Sequence, residues 1–136
     1  MKSLAATGLI ALLAISLTSC ITSGMHSRNQ AATSKWLAES AGKPTINVTG
    51  NWYGDGWGHG YFKQTGNRVT GHIAEYPVTG VVNGDTLYLA VTEDGFTENT
   101  IVAKAEGPGV LVGGYSDWVP FVEKGQKSIR LVRSAR

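Results

Sequence analysis

Residues 46–53 read INVTGNWY, and apolar and polar side chains alternate along most of this stretch. The alternation places Ile46, Val48 and Trp52 on one face of an extended chain and the intervening residues on the other. A period of two is typical of a β-strand that buries only one of its faces. The stretch therefore predicts that the chain adopts β-structure from Ile46 onward.

The same alternation recurs further along the chain, and turn signals such as Asn83-Gly84-Asp85 and Gly107-Pro108-Gly109 separate its runs. It predicts eight strands, at about 46–54, 58–65, 68–75, 78–82, 86–92, 97–105, 110–116 and 127–134. Because the connections between neighbouring runs are short, we expect consecutive strands to pair antiparallel, as a meander.

Closure of this meander into a barrel would remove its two open edges. The tripeptide Val-Thr-Gly occurs at residues 48–50, 69–71 and 78–80, which puts each glycine on the same face as its valine. Inward glycines let strands bend and let opposite walls approach, whereas a two-sheet sandwich, the alternative, would place its glycines less regularly. The predicted fold class is all-β, a small eight-stranded antiparallel barrel.

A short N-terminal helix is predicted at about residues 33–41, with Thr33 or Ser34 as its N-cap. Trp36 would supply one of its apolar contacts with the barrel. The preceding stretch, residues 21–32, is small, polar and without a period, which favours a flexible tether.

The first residues of the chain have the layout of a secretory signal. Lys2 gives a positive start, a mostly apolar run follows, and small residues precede Cys20, the one cysteine in the sequence. The run is shorter than the roughly 20 apolar residues that span a bilayer. The sequence Leu17-Thr18-Ser19-Cys20 resembles the lipobox of bacterial lipoproteins, which implies that Cys20 is lipidated and the signal removed. A buried free thiol in an uncleaved helix is the alternative for Cys20.

This resemblance implies three segments: a signal peptide (1–19), a lipidated tether that includes the short helix (20–43) and the barrel domain (44–136). The lipid would anchor the protein to a membrane of the cell envelope without crossing it. Ile21 stands where an aspartate often retains such proteins at the inner membrane. In a bacterium with two membranes, we therefore expect the outer membrane, at its periplasmic face or at the surface.

The first predicted strand resembles that of the calycin group, which includes lipocalins and avidins. Gly50-Asn51-Trp52 matches the Gly-x-Trp of lipocalins, in which an arginine of the last strand packs across the tryptophan. The resemblance implies that Arg133, or alternatively Arg130, lies over Trp52 and helps to close the barrel. The strands are short for this group, so we expect side chains to fill the interior.

Composition and motifs argue against several functions. The formal charge of +2 falls to +1 once Lys2 leaves with the signal, which gives no basis for nucleic-acid binding. The chain shows no nucleophile elbow, and His26, His59 and His72 lack the spacing of metal ligands. We therefore expect a protein that is not an enzyme and holds no cofactor or metal.

Two aromatic segments supply the candidate contacts for a partner. Residues 53–61 alternate glycine with aromatic and polar side chains, and from them we select Trp57, His59 and Tyr61. Alternatively, Trp57 covers the core. Residues 117–122 form an apolar loop around Pro120, from which we select Trp118 and Phe121; this loop is expected to fold back and plug the barrel, or else to expose a binding patch.

The expected function is that of a non-enzymatic barrel module that recognises a protein or another component of the cell envelope. One alternative is a carrier that holds a small apolar ligand inside the barrel, as the lipocalin resemblance suggests. Another is an inhibitor or immunity role, since some small bacterial calycin barrels block exported proteases.

Replacement of Cys20 tests the anchor. Cys20→Ala removes the thiol that would carry the lipid, so we expect the product to leave the membrane fraction or to persist as the uncleaved precursor. Fractionation with immunoblotting measures both results, and Ser19→Ala serves as the control. A Cys20→Ala product that is processed and membrane-bound as before would contradict the lipoprotein assignment.

Overall fold

The computed structural model describes residues 24–135 and shows a closed barrel of eight antiparallel strands with one helix. The strands are β1 (Gly50–Gly54), β2 (Gly58–Thr65), β3 (Arg68–Ile73), β4 (Tyr76–Asn83), β5 (Thr86–Glu93), β6 (Phe96–Ala105), β7 (Val110–Ser116) and β8 (Lys127–Arg133). Each strand pairs with the next one, and β8 returns to pair with β1. The prediction of an all-β meander barrel is confirmed.

The first strand is shorter than the alternation predicts. Residues 46–49 lie outside β1 and cross one end of the barrel, where Val48 is buried and Ile46 packs against the core. The side chain of Gln64 holds this segment, because its amide accepts a hydrogen bond from Val48 N at 2.9 Å and donates to Ile46 O at 3.0 Å. The side-chain amide of Gln64 thus takes the place of a neighbouring strand. Residues 46–49 stay extended and alternate their side chains although they belong to no strand.

Arg133 and Trp52 join the last strand to the first. The two residues are register partners, and the guanidinium carbon of Arg133 lies 4.6 Å from the centroid of the Trp52 ring. The guanidinium also donates hydrogen bonds to the carbonyls of Thr49, at 2.8 Å, and Asn47. The indole N–H of Trp52 donates a hydrogen bond to Val48 O at 2.8 Å. These contacts fasten the crossing segment over the seam between β1 and β8.

Apolar side chains form one contiguous cluster inside the barrel. Its largest fully buried members include Phe62, Leu87 and Leu89, and burial of a side chain of this size contributes about 1.5–3 kcal/mol. Gly71 lets the wall fold closely around them, because a Cβ added there would overlap the carbonyl oxygen of Tyr61 on β2. The predicted role of the Val-Thr-Gly glycine is thus visible at this position.

The helix, α1, covers residues 24–40, so its predicted existence is confirmed, but its predicted start at Thr33 is wrong. Thr33 lies inside the helix and shares a hydrogen bond of 2.8 Å with the hydroxyl of Thr97. One turn earlier, the amide of Asn29 accepts from Thr97 N at 2.8 Å and donates to Thr97 O at 3.2 Å. Contacts with β6 therefore hold residues 24–32 as a docked helix and not as a free tether.

Trp36 continues the docking of α1 along the outer wall, where it packs edge-on against Tyr88 with the ring centroids 6.1 Å apart. In the part of the chain that the structure describes, no helix has both the length and the apolar character needed to cross a bilayer. Cys20 and the signal segment lie outside the described residues.

Arg133→Met tests the barrel seam. The variant keeps an unbranched apolar stem but loses the cation–π contact and two hydrogen bonds, so we expect the free energy of unfolding to fall by about 1–3 kcal/mol. Urea denaturation measures the change. The exposed Arg130 on the same strand provides the control, since Arg130→Met should change stability by no more than about 0.5 kcal/mol. Equal losses in the two variants would show that the seam contact adds nothing specific.

Candidate functional site

The two ends of the barrel differ in structure. One end, which we name the loop end, carries the connections at 55–57, 74–75, 94–95 and 117–126. The opposite end, named the turn end, carries the connections at 66–67, 84–85 and 106–109, together with the crossing segment described above. Candidate residues from the sequence lie at the loop end and on the outer wall.

Trp57 lies at the loop end and covers the core. Its side chain is half-buried, packs against the interior cluster and meets Tyr115 edge-on, with ring centroids 5.1 Å apart. A hydrogen bond of 3.0 Å from Trp57 N to Gly54 O holds the turn that aims it inward. Of the two interpretations of Trp57, the contacts match a cover over the core.

The loop between β7 and β8 does not plug the barrel, contrary to expectation. Phe121 packs on the outside of the wall, in the cluster of α1 that includes Trp36 and Val102. Trp118 is 69% exposed, while its carbonyl accepts a hydrogen bond from the Thr100 hydroxyl at 2.8 Å. The loop thus does not cover the barrel interior, because the apolar surface beside α1 offers its phenylalanine a place to be buried.

His59 and Tyr61 lie on the outer wall with other exposed rings. We name this surface the aromatic wall; its residues are Tyr53, His59, Tyr61, His72 and Val132. The rings of Tyr53 and His59 are 5.0 Å apart, and Tyr61 is the register partner of His72 on β3. Tyr53 and Tyr61 are 44% and 40% exposed, so their rings are available to a partner.

The aromatic wall lies on the side of the barrel away from α1. It spans β8, β1, β2 and β3, whereas the contacts of α1 fall on β4, β5 and β6. His59 and His72 line the same shallow depression together with Asn51 and Tyr61. His72 Nδ1 donates to the carbonyl of Ala74 at 3.1 Å. Among residues 24–135, no three histidine, cysteine or carboxylate side chains form a possible metal-binding group.

Negative charge is concentrated at the loop end. Seven of the ten acidic residues lie in its connections or in the adjoining strand ends: Asp55, Glu75, Glu93, Asp94, Glu98, Asp117 and Glu123. The carboxylates of Glu75 and Glu93 raise the pKa of Tyr76 above its usual value of 10.0, because they disfavour a third negative charge.

The five predicted contact residues do not form one site. His59 and Tyr61 share the aromatic wall, Trp57 covers the core, and Trp118 and Phe121 lie on the long loop. Tyr53 and His72 belong with the first pair but were not selected as candidates. The alternation of residues 46–53 indicates that Tyr53 faces outward. Its proximity to His59, however, depends on the register between β1 and β2.

Comparisons of this chain with protein-family models, with curated proteins and with solved structures find no match.

Substitutions at Trp57 and Trp118 test whether the first ring covers the core and the second lies in solvent. Trp57→Ala removes a half-buried ring and its contact with Tyr115, so we expect the free energy of unfolding to fall by about 1–3 kcal/mol. Trp118→Ala should change it by no more than about 0.5 kcal/mol, because that ring is mostly in solvent. Urea denaturation of both variants measures the difference, and the opposite order would contradict the placement of the two rings.

Proposed function

We propose that this protein is a lipid-anchored component of a bacterial cell envelope, and that its barrel binds an envelope component through the aromatic wall without catalysing a reaction. The observation that carries the proposal is the contrast between a barrel interior occupied by buried side chains and an outer wall that exposes tyrosine and histidine rings.

The interior favours a surface function over transport of a ligand. An eight-stranded barrel has room for its own side chains or for one small ligand. Here Phe62, Leu89 and Leu131 are each 0% exposed and belong to one buried cluster. A ligand would have to displace such side chains, whereas a partner on the outer wall would leave the core unchanged.

The exposed rings suit recognition. Tyrosine offers a large, rigid contact area with a polar end, and it is enriched among the residues that dominate binding energy. Tyr53 and Tyr61 stand on paired strands of a closed sheet, so few degrees of freedom are lost when a partner binds. The adjacent His59 and His72 add hydrogen-bonding groups to the same surface.

The docked helix supports an orientation relative to the membrane. Near its first described residues, the His26 ring lies 5.5 Å from that of Phe96, and Gln30 donates to Gly95 O at 3.5 Å, both at the loop end. A fully extended chain from Cys20 to residue 24 spans at most about 14 Å. A lipid on Cys20 would therefore keep the loop end near the bilayer and leave the side of the barrel, with its aromatic wall, accessible.

Binding to envelope material tests the proposal. We expect detergent-solubilised full-length protein to cosediment with envelopes prepared from a strain that lacks it. The double variant Tyr53→Ser/Tyr61→Ser should bind at least about tenfold more weakly, equivalent to about 1.4 kcal/mol, because neither ring remains to contact the partner. The amount of protein in the pellet, measured against concentration, gives the affinity.

Trp118→Ser is the control, since it removes an aromatic ring that is even more exposed than the two tyrosines and lies away from the aromatic wall. It should bind as the unchanged protein does, and circular dichroism should show that all variants are folded. Undiminished binding of Tyr53→Ser/Tyr61→Ser, or no binding by any form, would overturn the proposed function.

A further inference from the structure

A groove of about 550 Å³ runs between α1 and the outward faces of β2, β3 and β4. We name it the basic groove. Its lining residues are Thr33, Ser34, Leu37, Ala38, Ala41, Lys63, Thr65, Asn67, Arg68, Val69, Thr70, Thr79, Gly80 and Val81. The small side chains of Ala38 and Ala41 form part of the helical side, which leaves the space between helix and sheet open.

Two positive charges in the basic groove lack a neutralising partner. Lys63 pairs in register with Thr70. Arg68 lies two residues before Thr70 on β3, so it is the diagonal neighbour of Lys63, with about 7–8 Å between their Cα atoms. Within the described residues, neither cation forms an ion pair, and no carboxylate lines the groove. Two neighbouring cations without a counterion attract an anion.

Four hydroxyl groups line the basic groove together with the two cations. Ser34 lies on the helical side of the groove, while Thr65, Thr70 and Thr79 lie on the strands. Along the part of the chain that the structure describes, none of these four hydroxyls makes a hydrogen bond to another residue. They can therefore donate to, or accept from, a polar ligand.

The basic groove is continuous with the aromatic wall. Tyr61 and Lys63 are two residues apart on β2 and point outward, which places them about 7 Å apart along the strand. On β3, His72 and Thr70 stand side by side in the same way. The outer face of these two strands is therefore aromatic towards the loop end and cationic towards the turn end.

We propose that the basic groove binds an oxyanion, a carboxylate or a phosphate, carried by a saccharide whose rings lie on the aromatic wall. The planar guanidinium of Arg68 can donate two parallel hydrogen bonds to a carboxylate or a phosphate, and Lys63 adds a point charge beside it. The free hydroxyls match those of a sugar, and the negative faces of tyrosine rings attract the positively polarised C–H edges of a sugar ring. The inference rests on the proposed function and names the ligand class of that surface.

The charge distribution favours a saccharide with separated anions over a nucleic acid. The basic groove supplies two cations, and the seven carboxylates of the loop end would repel a densely charged phosphate backbone that follows the sheet in that direction. A saccharide with isolated acidic groups can place one of them in the groove and its uncharged parts on the aromatic wall.

Calorimetric titration of the full-length protein in neutral detergent tests this inference. The probes are a short mannose oligomer that ends in a single mannuronate, named the acidic oligomer, an uncharged mannose oligomer of equal length, inorganic phosphate and a short single-stranded oligonucleotide. We expect the acidic oligomer to bind with a Kd of about 1 mM or tighter, at least about tenfold more tightly than the other three probes.

The double variant Lys63→Gln/Arg68→Gln should weaken the binding of the acidic oligomer at least about tenfold. Its control, Lys124→Gln/Arg130→Gln, makes the same change in net charge outside the groove and should have little effect. Equal losses in the two variants, tighter binding of the oligonucleotide, binding of phosphate as tight as that of the acidic oligomer, or no binding of any probe would overturn the inference.

Cosedimentation with envelopes separates this inference from the proposed function. If Lys63→Gln/Arg68→Gln binds envelopes normally while Tyr53→Ser/Tyr61→Ser does not, the aromatic wall recognises a different ligand and only the present inference fails. If the tyrosine variant also binds normally, the proposed function fails with it.

Discussion

The contact of the Arg133 guanidinium with the face of the Trp52 indole joins the two ends of the sheet where the barrel closes. The other seven strand pairs join neighbours in the chain, whereas β1 and β8 are separated by the whole sheet. The same guanidinium binds two carbonyls of the segment that crosses the turn end. One side chain therefore links the first strand, the last strand and the segment that crosses the turn end.

Docking of α1 divides the outer wall into two regions with different chemistry. Asn29 and Thr33 bind Thr97, and Trp36 packs on Tyr88, so β4–β6 are covered by the chain itself. The strands on the other side keep their tyrosines and histidines in solvent. Between the two regions, the helix does not lie close against β2 and β3, and the basic groove occupies the space that remains.

Much of the fold could be predicted from the sequence, because most strands follow a period of two and end at glycine-rich turns. The errors have physical causes. Residues 46–49 alternate like a strand, but their backbone binds the side chain of Gln64 and not a neighbouring strand, so β1 begins only at Gly50. The start of α1 was missed because residues 24–32 carry no helical period, and it is their contact with Thr97 that holds them.

The candidate surface was harder to predict than the fold. His59 and Tyr61 could be assigned to one face by their spacing, but their proximity to Tyr53 and His72 depends on strand register. The position of Phe121 follows from an apolar surface that exists only after α1 has docked. The sequence of residues 117–122 has no hydrophobic period, so it does not indicate which surface will bury Phe121.

The wide separation in sequence between β1 and β8 has a consequence for biosynthesis. Because a chain is synthesised from its N-terminal end, seven strands emerge before the one that can complete the ring. Until then the sheet has two unpaired edges and an accessible apolar lining, a state prone to aggregation. Pairing of β8 with β1 removes both edges and closes the lining in one step.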